Sequence, residues 1–258
     1  MNNYRLTISY DGTRYYGWEH QPNTDMTIQG KIENVLARME IGDGDADIAT
    51  SELVIPEVIC AGRTDAGVHA EAMIASVRLS TDKSEDEIRD YLNKYLPDDI
   101  CIKNVAIAGD RFHARYNARG KTYRYKCYIG KNKPLFDRKY VYDLNNVSLD
   151  ITAMKRAAEI LIGEHDFKSF CSNPKMKKST VRIVDKIDIA CKDDYLSLTF
   201  HGTGFLQYMV RILTGTLLEV GMGKRTPESM HDLLEAKDRR LAGETAPACG
   251  LTMVKVDY

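Results

Sequence analysis

The chain has 258 residues, a formal net charge of −1, 43% hydrophobic residues and 28% charged residues, a composition typical of a soluble globular protein with one or two domains. No apolar run approaches the roughly 20 residues that a membrane-spanning helix requires, so we expect no membrane contact. The six cysteines include no C-x-x-C pair. Neither a zinc ribbon nor a disulfide framework is therefore indicated, and we expect reduced thiols in a cytoplasmic protein.

Strand and helix patterns alternate through the first half of the chain. Tyr4–Tyr10 alternates apolar and polar residues, which predicts a strand, and no signal-peptide core precedes it. Ser84 is a good N-cap for a helix that ends before Pro97. The predicted elements of this half are a strand over 4–10, a helix over 28–39, strands over 58–61 and 73–79, a helix over 84–95 and a strand over 100–108.

A polar, acidic linker is predicted over residues 41–56. Asp43, Asp45 and Asp47 resemble the opening of an EF-hand loop. However, Ile48 occupies the position where that loop needs glycine, and Val54 the position where it needs glutamate. We therefore expect no calcium site there.

The second half contains a strand pattern with one cationic face. Over residues 120–129, Tyr123 and Tyr125 alternate with Arg124 and Lys126. Mixed strands and helices in two similar groups predict an α+β fold of two α/β halves, residues 1–110 and 111–258, with a ligand cleft between them. The other predicted elements are a short strand over 139–144, a helix over 151–162, a polar loop over 166–178, a hairpin over 181–190 and 195–201, an apolar helix over 205–220, a short helix over 227–236 and a strand over 251–256.

Basic residues are concentrated in one part of the chain, although the net charge is almost zero. Such segregation can present a cationic face to a nucleic acid; the alternative is an ordinary solvated strand and loop surface. A second, smaller basic cluster lies within 175–182. The first contains ten basic residues and a single acid, Asp137: Arg111, Arg115, Arg119, Lys121, Arg124, Lys126, Lys131, Lys133, Arg138 and Lys139.

A glycine-framed aspartate follows the strand predicted over 58–61. Gly62 and Gly67 flank Asp65 and permit a tight loop that could hold its carboxylate at the rim of a sheet. Arg63 nearby would favour the ionised form of Asp65, which makes Asp65 a candidate nucleophile or base. The alternative is a turn residue whose side chain bonds the local backbone.

Two further residues are candidates for the same site. Arg211 lies in the apolar helix predicted over 205–220, where a cation needs a partner; that partner could be Asp65 or, two turns along the helix, Glu219. Tyr123 could stack on a base or contact a ribose, or it could be an ordinary packed strand residue. The chain has no G-x-x-x-x-G-K-[ST], G-x-S-x-G or H-E-x-x-H motif, so any chemistry depends on acids, arginines and aromatics.

Short motifs occur in a fixed order along nearly the whole chain: Y-D-G-T at 10–13, G-W at 17–18, T-I-Q-G at 27–30, A-G-R-T-D-A-G-V-H-A at 61–70, L-N-K-Y-L-P-D-D-I at 92–100, F-H-A-R at 112–115, K-T-Y-R-Y at 121–125, G-E-H-D-F at 163–167, F-L-Q-Y-M-V-R at 205–211 and A-P-A-C-G-L at 246–251. In this order they resemble the tRNA pseudouridine synthase A family. That family isomerises uridines in the anticodon stem-loop of tRNA, at positions 38–40, without a cofactor.

The resemblance implies a role for each candidate residue. Asp65 would be the catalytic aspartate, Arg63 would assist base displacement, Arg211 would pair with Asp65, and Tyr123 would contact the target nucleotide. It also implies a homodimer and two α/β halves that form one extended antiparallel sheet, with helices on one side and a basic cleft on the other. The remaining candidates for substrate binding lie in the matching motifs: His69, Arg115 and Arg124.

The sequence departs from the family pattern at a few positions. Glu19 and Gln207 stand where the family usually has glutamine and an aromatic residue, and Ala72-Met73 replaces a common Gly-Gln. Three alternatives therefore stay open: a paralogue acting on another RNA such as rRNA, an RNA-binding protein that has lost catalysis, and a hydrolase with an aspartate nucleophile.

Overall fold

The computed structural model describes residues 1–41, 55–173 and 175–258. Most of the acidic linker expected over 41–56 lies outside these ranges, as do Asp43, Asp45 and Asp47, for which we excluded calcium binding. In the described ranges, no helix is both long enough and apolar enough to cross a membrane.

The chain divides into two compact units. The first contains Met1–Arg119 and Met253–Tyr258, and the second contains Gly120–Thr252. The halves expected from the sequence meet at 110/111, whereas residues 111–119 group with the first unit. The C-terminal residues hold them there: the Tyr258 hydroxyl donates to the carbonyl of Ala114 at 2.8 Å, and the N–H of Arg119 donates to the carbonyl of Asp257 at 2.8 Å.

The first unit is built around its first strand. Strand β1 pairs antiparallel with β3 on one side and with β4 on the other. Its apolar residues Leu6 and Ile8 are fully buried, which confirms the predicted alternation. Strand β3 begins four residues earlier than predicted. The elements are β1 (Asn2–Tyr10), α1 (Ile28–Ile41), β2 (Ile59–Cys60), β3 (His69–Leu79), α2 (Glu85–Tyr95) and β4 (Ile100–Ala108).

Helix α2 begins and ends where the sequence predicts. The Ser84 hydroxyl accepts a hydrogen bond from the N–H of Glu87, and the Glu87 carboxylate accepts one from the N–H of Ser84, so the two residues form a capping box. Ile88 and Leu92 are buried on its inner face. Leu96, which precedes Pro97, leaves the helical conformation.

The second unit consists of a four-strand meander and three helices. Strand β5 pairs antiparallel with β9, β9 with β8, and β8 with β7, while β6 runs parallel to β5. The predicted hairpin is confirmed, and it turns at Asp193, which has a positive φ of 53°. The elements are β5 (Gly120–Tyr128), β6 (Tyr142–Asp143), α3 (Ile151–Ile160), β7 (Gly163–Asp166), β8 (Val181–Lys192), β9 (Tyr195–Gly202), α4 (Met209–Gly221) and α5 (Ser229–Ala236).

Two predictions for this unit were wrong in part. The apolar helix expected over 205–220 begins only at Met209, because Tyr208 adopts a left-handed conformation with φ of 60°. The segment expected as a polar loop over 166–178 begins with the end of β7 and a short 3-10 turn, in which Phe167 and Phe170 are fully buried. The polar residues between these two phenylalanines concealed their inward spacing.

A last strand, β10 (Leu251–Asp257), contributes residues to both units. The ten strands form a sheet in the order β4-β1-β3-β10-β5-β9-β8-β7, with β2 paired to β3 and β6 to β5. The described pairings are antiparallel except for that of β5 with β6. The predicted α+β class with an extended, mostly antiparallel sheet is thereby confirmed.

Candidate active site

Asp65 lies in the loop that connects β2 to β3. The N–H of Ala61 donates to the carbonyl of Ile74 at 2.8 Å, which closes the start of the loop. The N–H of Val68 donates to the carbonyl of Asp65 at 3.2 Å, and Gly67 has a positive φ of 77°, a conformation that glycine adopts without strain. Asp65 is half-buried. The loop therefore presents a carboxylate at the end of a strand, as the sequence predicts.

The turn that follows β1 holds this loop in place. The N–H of Gly67 donates to the carbonyl of Tyr15 at 3.2 Å, and the N–H of Trp18 donates to the carbonyl of Thr64 at 3.1 Å. At Gly12 the backbones approach so closely that a Cβ atom would lie 2.0 Å from the carbonyl oxygen of Val68. Only glycine fits there, and the position of Asp65 depends on residues 12–18.

Aromatic residues and a threonine complete this brace. The hydroxyls of Tyr10 and Thr64 share a buried hydrogen bond of 2.7 Å. The rings of Tyr10 and Trp18 lie 6.1 Å apart, and Trp18 is buried. The structural reading of Trp18, as an aromatic that caps a core beside a turn, is confirmed, whereas Tyr16 is exposed.

Asp99 supports the same turn from its other side. The N–H of Asp11 donates to its carbonyl at 2.9 Å, and its carboxylate accepts hydrogen bonds from the Arg14 guanidinium and the Tyr15 hydroxyl. Burial and the hydrogen bond to Asp99 raise the pKa of Tyr15 to about 12, so this hydroxyl keeps its proton near neutral pH.

Arg63 forms an ion pair with Glu19. Its Nη1 atom lies 2.6 Å from a carboxylate oxygen of Glu19, and both side chains are more than half exposed. The sequence led us to expect that Arg63 favours the ionised form of Asp65. That effect stays a prediction, and the ion pair with Glu19 adds a partner that competes for the same guanidinium.

The other two candidates of the first unit differ in exposure. His69 has a side chain only 5% exposed; its Nδ1 atom accepts the N–H of Gly12 at 3.1 Å and lies 3.2 Å from a carboxylate oxygen of Asp11. These contacts position the turn, and a direct contact of His69 with substrate stays a prediction. Arg115 is exposed in the segment that leads to β5.

Strand β5 supplies two candidates in the second unit. Tyr123 is 7% exposed, faces Phe200 of β9 in register and packs edge-on against Phe205, with ring centroids 5.3 Å apart. Arg124 and Lys126 lie on the opposite face of the strand, where the first is half-buried and the second exposed. The predicted alternation of a buried face and a cationic face is confirmed.

Arg211 lies in the first turn of α4. Its Nε atom donates to the carbonyl of Ala246 at 2.8 Å, and its guanidinium carbon lies 4.7 Å from the ring centroid of Tyr208. Glu219, the alternative partner on the same helix, forms an ion pair of 2.8 Å with Arg225. The expected pairing of Arg211 with Asp65 joins residues of different units and stays a prediction.

Comparisons with known proteins give this geometry its context. A family model described as "tRNA pseudouridine synthase" matches residues 6–117 and 157–258. The chain belongs to the tRNA pseudouridine synthase family. It is 42% identical to tRNA pseudouridine synthase A of Bacillus sp. (strain KSM-64) and of Caldicellulosiruptor bescii, over the whole length of each, and 43% identical to that of Geobacillus sp. (strain WCH70), over 98% of this chain and 97% of the relative.

Membership of this family makes the chain a tRNA-modifying isomerase. It also gives a function to the motifs that surround Asp65. The sequence analysis named Asp65 and the arginines but gave no role to the residues that position them, among them Gly12, Thr64 and Asp99. Their signal was available, because all three lie within motifs of the resemblance.

A second set of positioning residues, around the A-P-A-C-G-L motif, was also missed in this synthase. A Cβ atom on Gly215 of α4 would lie 1.9 Å from the carbonyl oxygen of Glu244. The Tyr125 hydroxyl of β5 donates to the carbonyl of Pro247 at 2.7 Å, and the N–H of Ala246 donates to the carbonyl of Arg211 at 3.2 Å. The motif therefore links α4, which carries Arg211, to β5, which carries Tyr123 and Arg124.

Proposed function

We propose that this synthase converts uridine to pseudouridine in the anticodon stem-loop of tRNA, at positions 38–40, with Asp65 as the catalytic carboxylate and without a cofactor. The observation that carries the proposal is the brace of residues 12–18 on the Asp65 loop, which fixes a half-buried carboxylate through backbone hydrogen bonds and a close approach at Gly12. Pre-organisation of this kind is what a reacting carboxylate requires.

The reaction breaks the bond between C1′ and N1 of uridine, turns the base and joins C1′ to C5, and it is redox-neutral. Asp65 attacks C1′, adds to C6 of the base, or removes the 2′ proton; each route needs an ionised carboxylate held close to the sugar. The uridine must first leave its stack, which costs a few kcal/mol. Arg63, which lies on the same loop as Asp65, assists this displacement.

Arg211 pairs with Asp65 in this proposal. A cation in the first turn of a helix is disfavoured by the helix dipole, and Arg211 is also half-buried. A carboxylate partner offsets both costs. The carbonyl of Ala246 and the ring of Tyr208 fix the guanidinium in one orientation, as a precise pairing requires.

The remaining candidates bind the RNA. Tyr123 contacts the target nucleotide, with Phe205 holding its ring edge-on. Arg115 and Arg124 bind phosphates, since arginine suits the bidentate recognition of that group. His69 contributes by fixing the turn at Gly12. The enzyme acts in the cytoplasm as a homodimer that binds each tRNA across both subunits.

Release of tritium from tRNA labelled at uridine C5 tests the catalytic role. The substitutions Asp65→Ala and Asp65→Asn should lower the release rate by about a thousandfold or more, because the reacting carboxylate is removed, while tRNA still binds. Asp98→Asn, a change at an exposed aspartate, is the matched control and should keep the wild-type rate. Retained activity in both Asp65 variants would contradict the assignment.

Specificity and assembly need separate measurements. Pseudouridine mapped across total RNA, with and without the protein, should appear at tRNA positions 38–40. Modification confined to rRNA would contradict the proposed target. Sedimentation equilibrium should give twice the mass of the chain, and a monomer that retains full activity would contradict the dimer.

A further inference from the structure

The loop between β5 and β6, residues 131–140, exposes two large apolar side chains. Phe136 is 89% exposed and Leu135 is 62% exposed. An exposed phenylalanine forfeits roughly the 1.5–3 kcal/mol that burial of such a side chain provides. Adjacent exposed apolar residues of this size are a common mark of an interaction site.

This loop is anchored, so the exposure belongs to a fixed surface. Pro134 is buried at its centre. The Tyr195 hydroxyl, at the tip of the β8–β9 hairpin, donates to the Asp137 carboxylate at 2.6 Å. Within the loop, the N–H of Tyr140 donates to the carbonyl of Asp137 at 2.7 Å. The two apolar side chains are therefore presented outward from a braced backbone.

The surface around Phe136 is strongly cationic. Asp137, the one acid of the loop, is bonded to Tyr195. Among the described residues of the chain, no acid forms an ion pair with the basic residues of this loop, all of which are exposed: Lys131, Lys133, Arg138 and Lys139.

We propose that the 131–140 loop is a second contact with the tRNA, in which Phe136 stacks on an unpaired base while the surrounding cations bind the adjacent phosphates. An aromatic face next to a cationic track is how proteins bind unpaired nucleotides, because every base offers a π-face and every nucleotide a phosphate. Charge complementarity favours a polyanion over a second copy of this chain, since the copy would bring the same four cations. The inference requires only that the substrate is tRNA.

Equilibrium binding of full-length tRNA tests the stacking contact. The measurement uses an Asp65→Asn background, in which the RNA is not turned over. Phe136→Ala should weaken binding by about 5- to 100-fold, the range for loss of one stacked base. Phe136→Tyr keeps the aromatic face and should stay within about twofold of the parent. Ile107→Ala, at another exposed apolar residue, is the control and should have no effect.

The cationic part of the proposed surface has its own signature. Lys131→Ala combined with Lys133→Ala should reduce the slope of log affinity against log salt by about 0.7 to 0.9 for each phosphate that the variant no longer neutralises. Lys155→Ala, at an exposed lysine of α3, should leave that slope unchanged. Chemical probing of the tRNA should show an unpaired base that the parent protects and Phe136→Ala does not.

Two outcomes overturn the proposal. One is unchanged tRNA affinity in Phe136→Ala. The other is a loss of self-association in Phe136→Ala with the affinity per subunit unchanged, which would assign the loop to an interface between copies of the chain. Because the readout is binding alone, neither outcome depends on the role of Asp65 or on which uridine is modified.

Discussion

Glu19 is the residue that most alters what the sequence alone suggests about Arg63. The two side chains form an exposed ion pair of 2.6 Å, so the guanidinium that is proposed to assist base displacement already has a carboxylate partner. A phosphate of the RNA must compete with Glu19 for it. Exposed pairs contribute only about 0.2–1 kcal/mol, so the competition is modest and reversible.

Glu19→Gln should therefore tighten tRNA binding by about 1.5- to 5-fold, because the energy of the broken pair becomes available for the RNA. The measurement is tRNA affinity in the presence and absence of Arg63→Gln, as a double-mutant cycle. The gain should disappear when Arg63 is replaced. Glu57→Gln, which also removes an exposed acid, is the control, and an equal gain there would reduce the effect to net charge.

At this scale the sequence predicts chemistry better than contacts. Asp65 and Arg63 stand out because charged residues between two glycines are unusual at the end of an apolar strand. The contact between Arg63 and Glu19 spans 44 positions of the chain, and no local pattern encodes it. The same holds for His69, whose residue type suggests binding but whose position in the fold is buried.

At the scale of elements, the Asp65 loop depends on the turn after β1 as much as on its own strands. Gly12→Ala would place a Cβ atom 2.0 Å from the carbonyl oxygen of Val68, so one backbone must move. A displacement of about 1 Å at a reacting group can cost about a hundredfold in rate. We expect kcat for tritium release to fall by about 10- to 100-fold, with a lower melting temperature.

The control for this prediction is Gly109→Ala. A Cβ atom on Gly109 would have no neighbouring atom within 4 Å, so the same chemical change should leave both kcat and the melting temperature close to those of the wild type. If Gly12→Ala were as active as Gly109→Ala, the turn would not set the position of the Asp65 carboxylate.

The elements that periodicity predicted well are those whose patterns are local. Helix α2 carries its own capping box, and the β8–β9 hairpin carries its turn residues. Helix α4 begins late because Tyr208 takes a left-handed conformation, which the sequence around it does not require. Its ring lies under Arg211, so a tertiary contact of the candidate site overrides local propensity there.

For the whole molecule, composition and motif order predicted the fold class and the family, while the assembly of the strands needed coordinates. Strand β10 comes last in the chain yet lies between β3 and β5 in the sheet. It draws the final six residues into the first unit, and the boundary moves with them. A single sequence gives no signal for such a distant pairing.

Buried tyrosines in both units make the stability of the molecule sensitive to alkaline pH. Burial raises the pKa of Tyr125, in the second unit, and that of Tyr258, in the first, while burial and Asp99 raise the pKa of Tyr15 to about 12. An unfolded tyrosine titrates near pH 10. Above that pH the unfolded chain loses protons that the folded chain keeps, so raising the pH favours unfolding.

The contribution of these tyrosines to stability is complete below about pH 10 and is lost as the pH rises toward the pKa of the folded state. Each retained proton lowers the free energy of unfolding by up to about 1.4 kcal/mol per pH unit. Tyr125→Phe removes one such proton and should make the decline of urea-unfolding free energy between pH 9 and 11 shallower. Tyr16→Phe, at an exposed tyrosine, should keep the wild-type slope. Equal slopes in the two variants would mean that Tyr125 ionises in the folded chain as readily as in the unfolded one.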